Sequence, residues 1–163
     1  MGEIKNIRTL LVENPFFEGM PDAHLETMAG CGKLVHFNAG EFLLREGEKA
    51  DTFFLIRDGD VAIESHDPAS GPLSVARIGA SGVTGFSWLF PPYRSSFDSL
   101  ALTKVSALAL DGECLRGKAE ADHELGYQLM KRFAQLMLGR LSATRRQMLD
   151  VYANVRVKDA GAS

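Results

Sequence analysis

The chain has 163 residues, 45% of them hydrophobic, and a formal net charge of −3. That length supports one ordinary domain with a real core rather than two full-sized ones. The acidic balance removes any global attraction to nucleic acid, which rests on Lys and Arg neutralising phosphates, and leaves only a local basic patch as a route to it.

The first residues, MGEIKNIRTLL, lack a long apolar core followed by a small-residue cleavage site, and no run of roughly 18 apolar residues occurs anywhere. The expectation is a soluble, cytoplasmic protein without membrane association. Ile4, Ile7, Leu10 and Leu11 fall at helical spacing, and PDAHLETMAG predicts a second short helix that starts near Asp22 and stops at Gly30. Residues 1–32 are therefore short N-terminal helices joined by NPFFEGM. Over 33–112 the pattern changes to short alternating or fully apolar runs, KLVHF, EFLLRE, TFFLIR, DVAIES, LSVARIG and VSALAL, separated by Gly, Asp, Pro and Ser. This spacing predicts a mainly β body, a sandwich or barrel, with Asp58-Gly59 as a hairpin pair. Arg77 in LSVARIG is either an anion contact or, more in keeping with a strand position, the partner of a carboxylate.

No proline follows Glu113, and helical spacing returns from about Asp122 to Tyr152, so 113–153 is expected to hold a long C-terminal helix and 154–163 a frayed tail. Tyr127, Met130, Ala134, Met137, Leu141, Thr144, Met148 and Val151 alternate by three and four, the seam of a coiled coil. Leu125, Leu129, Phe133 and Leu136 form a neighbouring stripe suited to the β body. A homodimer through this helix is the expectation. Lys131, Arg132, Arg140, Arg145 and Arg146 are the only basic concentration and read as a solvated face.

Chemistry is sparse. The two cysteines, Cys31 and Cys114, are too few for a disulfide framework or an all-cysteine iron–sulfur cluster and fit a reduced compartment. His24, His36, His66 and His123 make no H-x-H pair, so no metal triad of the kind carried by jelly-roll enzymes can be assembled, and G-x-S-x-G, P-loop and H-E-x-x-H motifs are missing. The sequence predicts neither an enzyme nor a metal site.

The segment GEFLLREGEKADTFFLIRDGDVAI, with Gly40, Gly47 and Gly59 punctuating strand-length runs, resembles the cyclic-nucleotide-binding domain of the catabolite activator and fumarate–nitrate regulator superfamily. The resemblance covers nearly the whole chain. It implies a double-stranded β-helix, or jelly-roll, barrel with short N-terminal helices and a long C-terminal dimerisation helix. In that family a glycine, a glutamate, a short helix and an Arg-Ser pair grip a cyclic phosphate, because helix N-terminal amides and a forked guanidinium suit a half-buried anion. In GVTGFSWLFPPYRSSFDSLALT, Gly85 matches the glycine and Arg94-Ser95 the Arg-Ser pair, but Phe86 replaces the glutamate that would accept from the ribose 2′-hydroxyl. Ser87 follows it. The span from Gly85 to Arg94 is shorter than usual, and Pro91-Pro92 removes two backbone donors. Thr144 matches a threonine that meets the adenine edge across the dimer, while Arg145 stands where its serine neighbour would be.

Three readings of this stretch stay open. Phe86, Trp88, Leu89, Phe90 and Phe97 fill a collapsed pocket; or the loop takes a different anionic, phosphate-bearing ligand; or it binds a cyclic nucleotide weakly through altered contacts. The family's helix-turn-helix domain has no counterpart in the few residues after Val151, so no direct DNA binding is expected and a protein partner would carry the output. The sequence thus points to a regulatory or sensor module, with a structural or protein-interaction module as the alternative.

Overall fold

The structure, a computed structural model, describes residues 2–161, without the side chains of 2–5 and 157–160; the expected contribution of the Ile4 side chain and the last two residues of the tail lie outside the described residues. Helix α1 (Gly2–Glu13) gives way to a 3₁₀ turn (Pro15–Phe17) that Asn14 caps, its side-chain oxygen accepting from the Phe16 N–H at 2.9 Å. Helix α2 (Asp22–Ala29) carries Asp22 in its first turn, where a carboxylate suits the helix dipole.

Eight strands follow: β1 (Gly32–Phe37), β2 (Phe42–Leu44), β3 (Thr52–Asp58), β4 (Val61–Asp67), β5 (Gly71–Ile78), β6 (Val83–Thr84), β7 (Asp98–Ala101) and β8 (Val105–Asp111). They form two four-stranded sheets, β1-β8-β3-β6 and β2-β7-β4-β5, and every pairing is antiparallel. The jelly-roll expectation is met. The very short β6 and the four-residue β7 were not among the runs that the sequence pattern picks out.

Alternation along β3 and β8 explains their continuous apolar runs. Phe54, Ile56, Ala107 and Ala109 join Leu43, Val61, Ile63, Ala101 and Val105 in the central core. The intervening Phe53, Leu55, Leu108 and Leu110 are buried as well, on the opposite face of their sheet. Helix α1 covers part of that face: a Cβ at Gly32 would meet Ile7 Cγ2 and Leu110 Cδ2, each at 3.0 Å. A sheet buried on both faces needs apolar residues at successive positions, as TFFLI and ALAL supply.

The Asp58-Gly59 pair does not close a hairpin. β3 and β4 lie in different sheets, so the turn at Gly59 carries the chain from one sheet to the other, and the true hairpin is β4–β5, paired from Val61↔Ile78 to Asp67↔Gly71. Arg77 of β5 pairs with Asp60 at 3.2 Å, the carboxylate partner expected of a strand arginine.

The cysteines correct another expectation. Cys31 and Cys114 form a disulfide, with Cα atoms 5.8 Å apart across a sequence separation of 83. Closing so long a loop in the unfolded chain is worth about 4–5 kcal/mol on the chain-entropy account. Their separation in sequence gave no hint of the contact, because the β barrel alone brings the start of β1 and the end of β8 side by side: Gly32 pairs with Leu110.

After β8 the expected single helix is broken. Helix α3 (Gly112–Ala121) stops at Asp122, and α4 (His123–Gly161) starts there, because the Asp122 carboxylate accepts from the Glu124 and Leu125 amides at 3.1 and 3.3 Å. Residues 154–161 are helical rather than a frayed end. Contacts divide the chain into two compact units, Met1–Gln128 and Leu129–Ser163, and α4 begins in the first and makes up the described part of the second. Among the described residues, no helix is long and apolar enough to cross a membrane.

The turn at Gly59 offers a direct test of the sheet crossover. Its φ is +99°, and a Cβ there would run into the Lys104 carbonyl and lie 3.0 Å from Val105 Cα. Gly59→Ala is expected to destabilise the fold by at least about 2 kcal/mol, read as a lowered urea midpoint at unchanged slope; a midpoint within error of the parent would show that the crossover tolerates a side chain.

Candidate functional site

The loop of residues 85–95 leaves β6 at a position only glycine can occupy. Gly85 has φ +99°, and a Cβ would sit 2.8 Å from the Thr52 carbonyl oxygen, 3.1 Å from Leu44 Cδ1 and 3.2 Å from Phe53 Cα. Just before it, Thr84 Oγ1 and Ser99 Oγ share a buried hydrogen bond of 2.7 Å. Thr84 is on β6 and Ser99 on β7, so this bond pins one sheet to the other at the root of the loop.

Phe86 then turns into the right-handed helical region and Ser87–Leu89 form a 3₁₀ turn. Trp88 is 1% exposed, with its ring stacked on Phe53 at 5.6 Å between centroids. The head of α3 accommodates it through Gly112, where a Cβ would lie 2.6 Å from Trp88 Cβ. Arg116 of α3 donates from a guanidinium nitrogen to the Trp88 carbonyl and rests over the Tyr93 ring at 4.1 Å. One arginine thus holds both ends of the segment between Trp88 and Tyr93.

The far end of the loop is anchored by a short ladder. Ala50 donates to the Tyr93 carbonyl, Gly47 to that of Ser95, and Ser95 N–H to Glu48, at 2.7, 2.8 and 2.9 Å. Lys49 and Arg94 form the bridge between them. Arg94 is exposed and donates to the Gly47 carbonyl at 2.9 Å, which fixes its direction while leaving the other N–H groups of its guanidinium toward solvent. Ser95 is buried, and its hydroxyl donates to the Phe97 carbonyl at 2.7 Å. With its amide on Glu48 and its hydroxyl on Phe97, Ser95 has no donor left for a ligand in this arrangement.

The sequence-derived candidates therefore divide. Gly85, Phe86, Ser87, Arg94 and Ser95 share one loop of the first unit; Phe86 and Ser87 are half-buried. Thr144 and Arg145 belong to the second unit, where both are exposed and Thr144 Oγ1 donates back to the Arg140 carbonyl at 2.9 Å. The aromatic cluster also divides: Trp88 is core, whereas Phe90 and Phe97 are 51% and 43% exposed. The residues that sequence reasoning missed are Arg116 and Gly112. No local signal marks them, because each acts on Trp88, at least 24 positions away; Gly47 was read as a turn, but not as the partner of Ser95 and Arg94.

An antiparallel β roll with helices before and after it, carrying an arginine-bearing loop at the exit of a short edge strand, is the architecture of a regulatory domain. Residues 34–122 match the cyclic nucleotide-binding domain family, more than half of the chain, and the chain belongs to that family. It is 24% identical over 142 residues to a CRP-like cAMP-activated global transcriptional regulator of Mycobacterium tuberculosis, covering 87% of this chain and 62% of that protein. The chain thus spans somewhat under two thirds of that relative. A Geobacter metallireducens structure described as a cyclic nucleotide-binding protein superposes with a TM-score of 0.72 at 26% identity, over 86% of this chain and 99% of the other. A cyclic nucleotide-binding domain from Methylobacillus flagellatus shares the fold, with a TM-score of 0.76 at 19% identity over 90% and 83% of the chains.

The division of the aromatics predicts unequal costs. Trp88→Ala is expected to lose about 3–5 kcal/mol, as for a fully buried aromatic, while Phe90→Ala stays within about 0.5 kcal/mol. Urea denaturation of both variants checks this; similar small losses would mean that Trp88 does not anchor the loop.

Proposed function

We propose that this chain is a regulatory sensor module whose 85–95 loop takes a phosphate-bearing anion, a cyclic nucleotide bound weakly or another such ligand, and that it works as a homodimer through α4. The observation that carries the reading is Arg94: an exposed guanidinium held in one direction by the Gly47 carbonyl, on a loop that Gly85 allows to leave the barrel. Charge-assisted hydrogen bonds from such a fork suit a phosphate. Phe86 stands where the family's glutamate would accept from the ribose hydroxyl, and a hydroxyl left dry beside it costs about 1–3 kcal/mol, so affinity for cyclic AMP is expected to be low.

The role is regulatory rather than enzymatic. Output goes to a protein partner in the cytoplasm, and the 163 residues, at net charge −3, are not proposed to contact DNA by themselves. Support for the dimer comes from the expected seam, which exposes Tyr127, Met130, Leu141, Met148 and Val151 at 45–65%. An exposed apolar stripe at heptad spacing suits a second copy of the same helix.

The burial of Trp88 favours a second reading, a protein-interaction module whose pocket is filled by its own side chains. Calorimetry with cyclic AMP and with inorganic phosphate separates the two. On the sensor reading, Arg94→Ala loses about 1.5–3 kcal/mol of anion affinity, roughly ten- to a hundredfold, and Phe86→Glu gains cyclic AMP affinity through one new hydrogen bond. No heat from any anion with the parent protein, and a Phe86→Glu variant that is only destabilised by a buried unpaired carboxylate, would favour the interaction module. Micromolar or tighter cyclic AMP binding by the parent would show that the missing glutamate matters little.

The dimer has its own test. Met137→Glu or Leu141→Glu brings like charges into the seam at a cost of several kcal/mol when desolvated, on the order of the penalty for any unpaired buried charge. Light scattering is expected to show a dimer for the parent and a monomer for each variant; a monomeric parent at micromolar concentration removes this part of the proposal.

A further inference from the structure

Helix α3 is tethered to the α2 region at both of its ends. At the first turn Cys114 is bonded to Cys31, which lies just beyond α2, and its amide donates to the capping Asp111 carboxylate at 2.8 Å. At the last, the Asp122 carboxylate lies 3.5 Å from Nε2 of His24 in α2. Between these ends α3 carries the two features that hold the loop, Gly112 against Trp88 and Arg116 on the Trp88 carbonyl and the Tyr93 ring. The disulfide is not part of the central core, whose residues all come from the strands and the connections between them. It fastens the element on which the loop rests.

We propose that the Cys31–Cys114 disulfide is a reversible redox modification site, and that its reduction by a dithiol loosens α3 and with it the 86–93 segment. Cys114 is half-buried and Cys31 only 8% exposed, so Cys114 is the sulfur that a reductant reaches. A thiolate of the dithiol attacks Cys114 Sγ, the protein S–S bond breaks, and Cys31 leaves as a thiolate that takes up a proton. The second thiol of the reductant then attacks its own sulfur in the mixed disulfide and expels Cys114. That leaving thiolate sits in the first turn of a ten-residue helix, where the N-terminal amides and the helix dipole favour negative charge. An electron pair passes from dithiol to protein; the reductant becomes a disulfide, and both protein sulfurs end as thiols.

The disulfide is the covalent link that holds α3 to the α2 region; at the other end the side-chain link to α2 is the long, partly exposed His24–Asp122 contact. Opening the disulfide leaves the head of α3, where Gly112 and Arg116 meet the loop, held by noncovalent contacts such as the Gly112 amide on the Asp51 carbonyl and the packing of buried Leu115, which permits local opening. The barrel keeps its own sheet pairings and core, so the response is local. This inference concerns the loop itself and holds whatever ligand the loop takes.

Hydrogen exchange with mass spectrometry on the full chain, oxidised and after treatment with dithiothreitol, tests it, with maleimide labelling to count thiols. Reduction is expected to speed exchange of peptides over 86–93 and 112–121 by about tenfold or more while the β4–β5 hairpin stays protected, and reoxidation to reverse the change. Cys114→Ser is expected to show the loosened pattern without reductant and to ignore it. Arg116→Ala in the oxidised protein is expected to loosen 86–93 alone, which tests the link from helix to loop without touching the disulfide. Thiols that never appear, a loop indifferent to reduction, or a uniform rise across the barrel would each overturn the proposal, the last by making the bond a general staple.

Discussion

The indole of Trp88 is stacked on Phe53 of β3 and its Cβ abuts the backbone of Gly112, and the loop, α3 and the disulfide take their places from that contact. A ring of this size stacked on a second aromatic inside a close-packed core leaves little freedom to the backbone that carries it. Gly112 is glycine because any Cβ would collide with Trp88, and its amide is spent on the Asp51 carbonyl at 2.6 Å. Once α3 starts at Gly112, its first turns bring Cys114 to Cys31 and Arg116 to the loop. Packing in the barrel thus fixes the loop from beneath.

The polar groups at the far end of the loop are largely satisfied within the fold. Ser95, the Tyr93 carbonyl and the Gly47 amide close on each other in the ladder with residues 47–50. Thr84 and Ser99 satisfy one another in the interior, where an unpaired hydroxyl would be costly. Arg94 is exposed and spends one guanidinium N–H on the Gly47 carbonyl. On the proposed function, a charge held in one direction by the fold would meet an anion with little ordering cost, which is the physical content of preorganisation. The chain belongs to the cyclic nucleotide-binding domain family, and the 85–95 loop carries its aromatic and double-proline stretch between Gly85 and Arg94.

The second unit is built on a different principle. Leu129 and Phe133 are buried, but from Leu138 onward the large apolar side chains are mostly exposed, with Leu138, Leu141 and Leu149 between 59% and 65%. Helix propensity and the Asp122 cap start α4; they do not provide a use for that surface. A helix of 39 residues that shows apolar side chains at heptad spacing is consistent in sequence with a coiled-coil partner.

The sequence by itself determined the parts governed by short periods. Alternation gave six of the strands, the three- and four-residue spacing gave the helices, and the glycines marked turns: Gly40, Gly47, Gly59 and Gly85 all have positive φ. The loop was legible too, since Gly85 and Arg94 sit on one continuous segment. What only the tertiary structure decided were the pairings between distant residues. Asp58-Gly59 looked like a hairpin because local turn chemistry does not say which sheet the next strand joins. Cys31 and Cys114 looked unpaired because only the β1–β8 ladder brings them together across 83 positions. Helical spacing from about Asp122 located the start of α4; that residues 112–121 form a helix of their own emerged only with the Asp122 carboxylate seen capping the next one. Arg116 carried no signal for the same reason: a side chain's neighbours along the chain are set by covalent spacing, whereas its partners across the fold are set by which surfaces the whole core presses together.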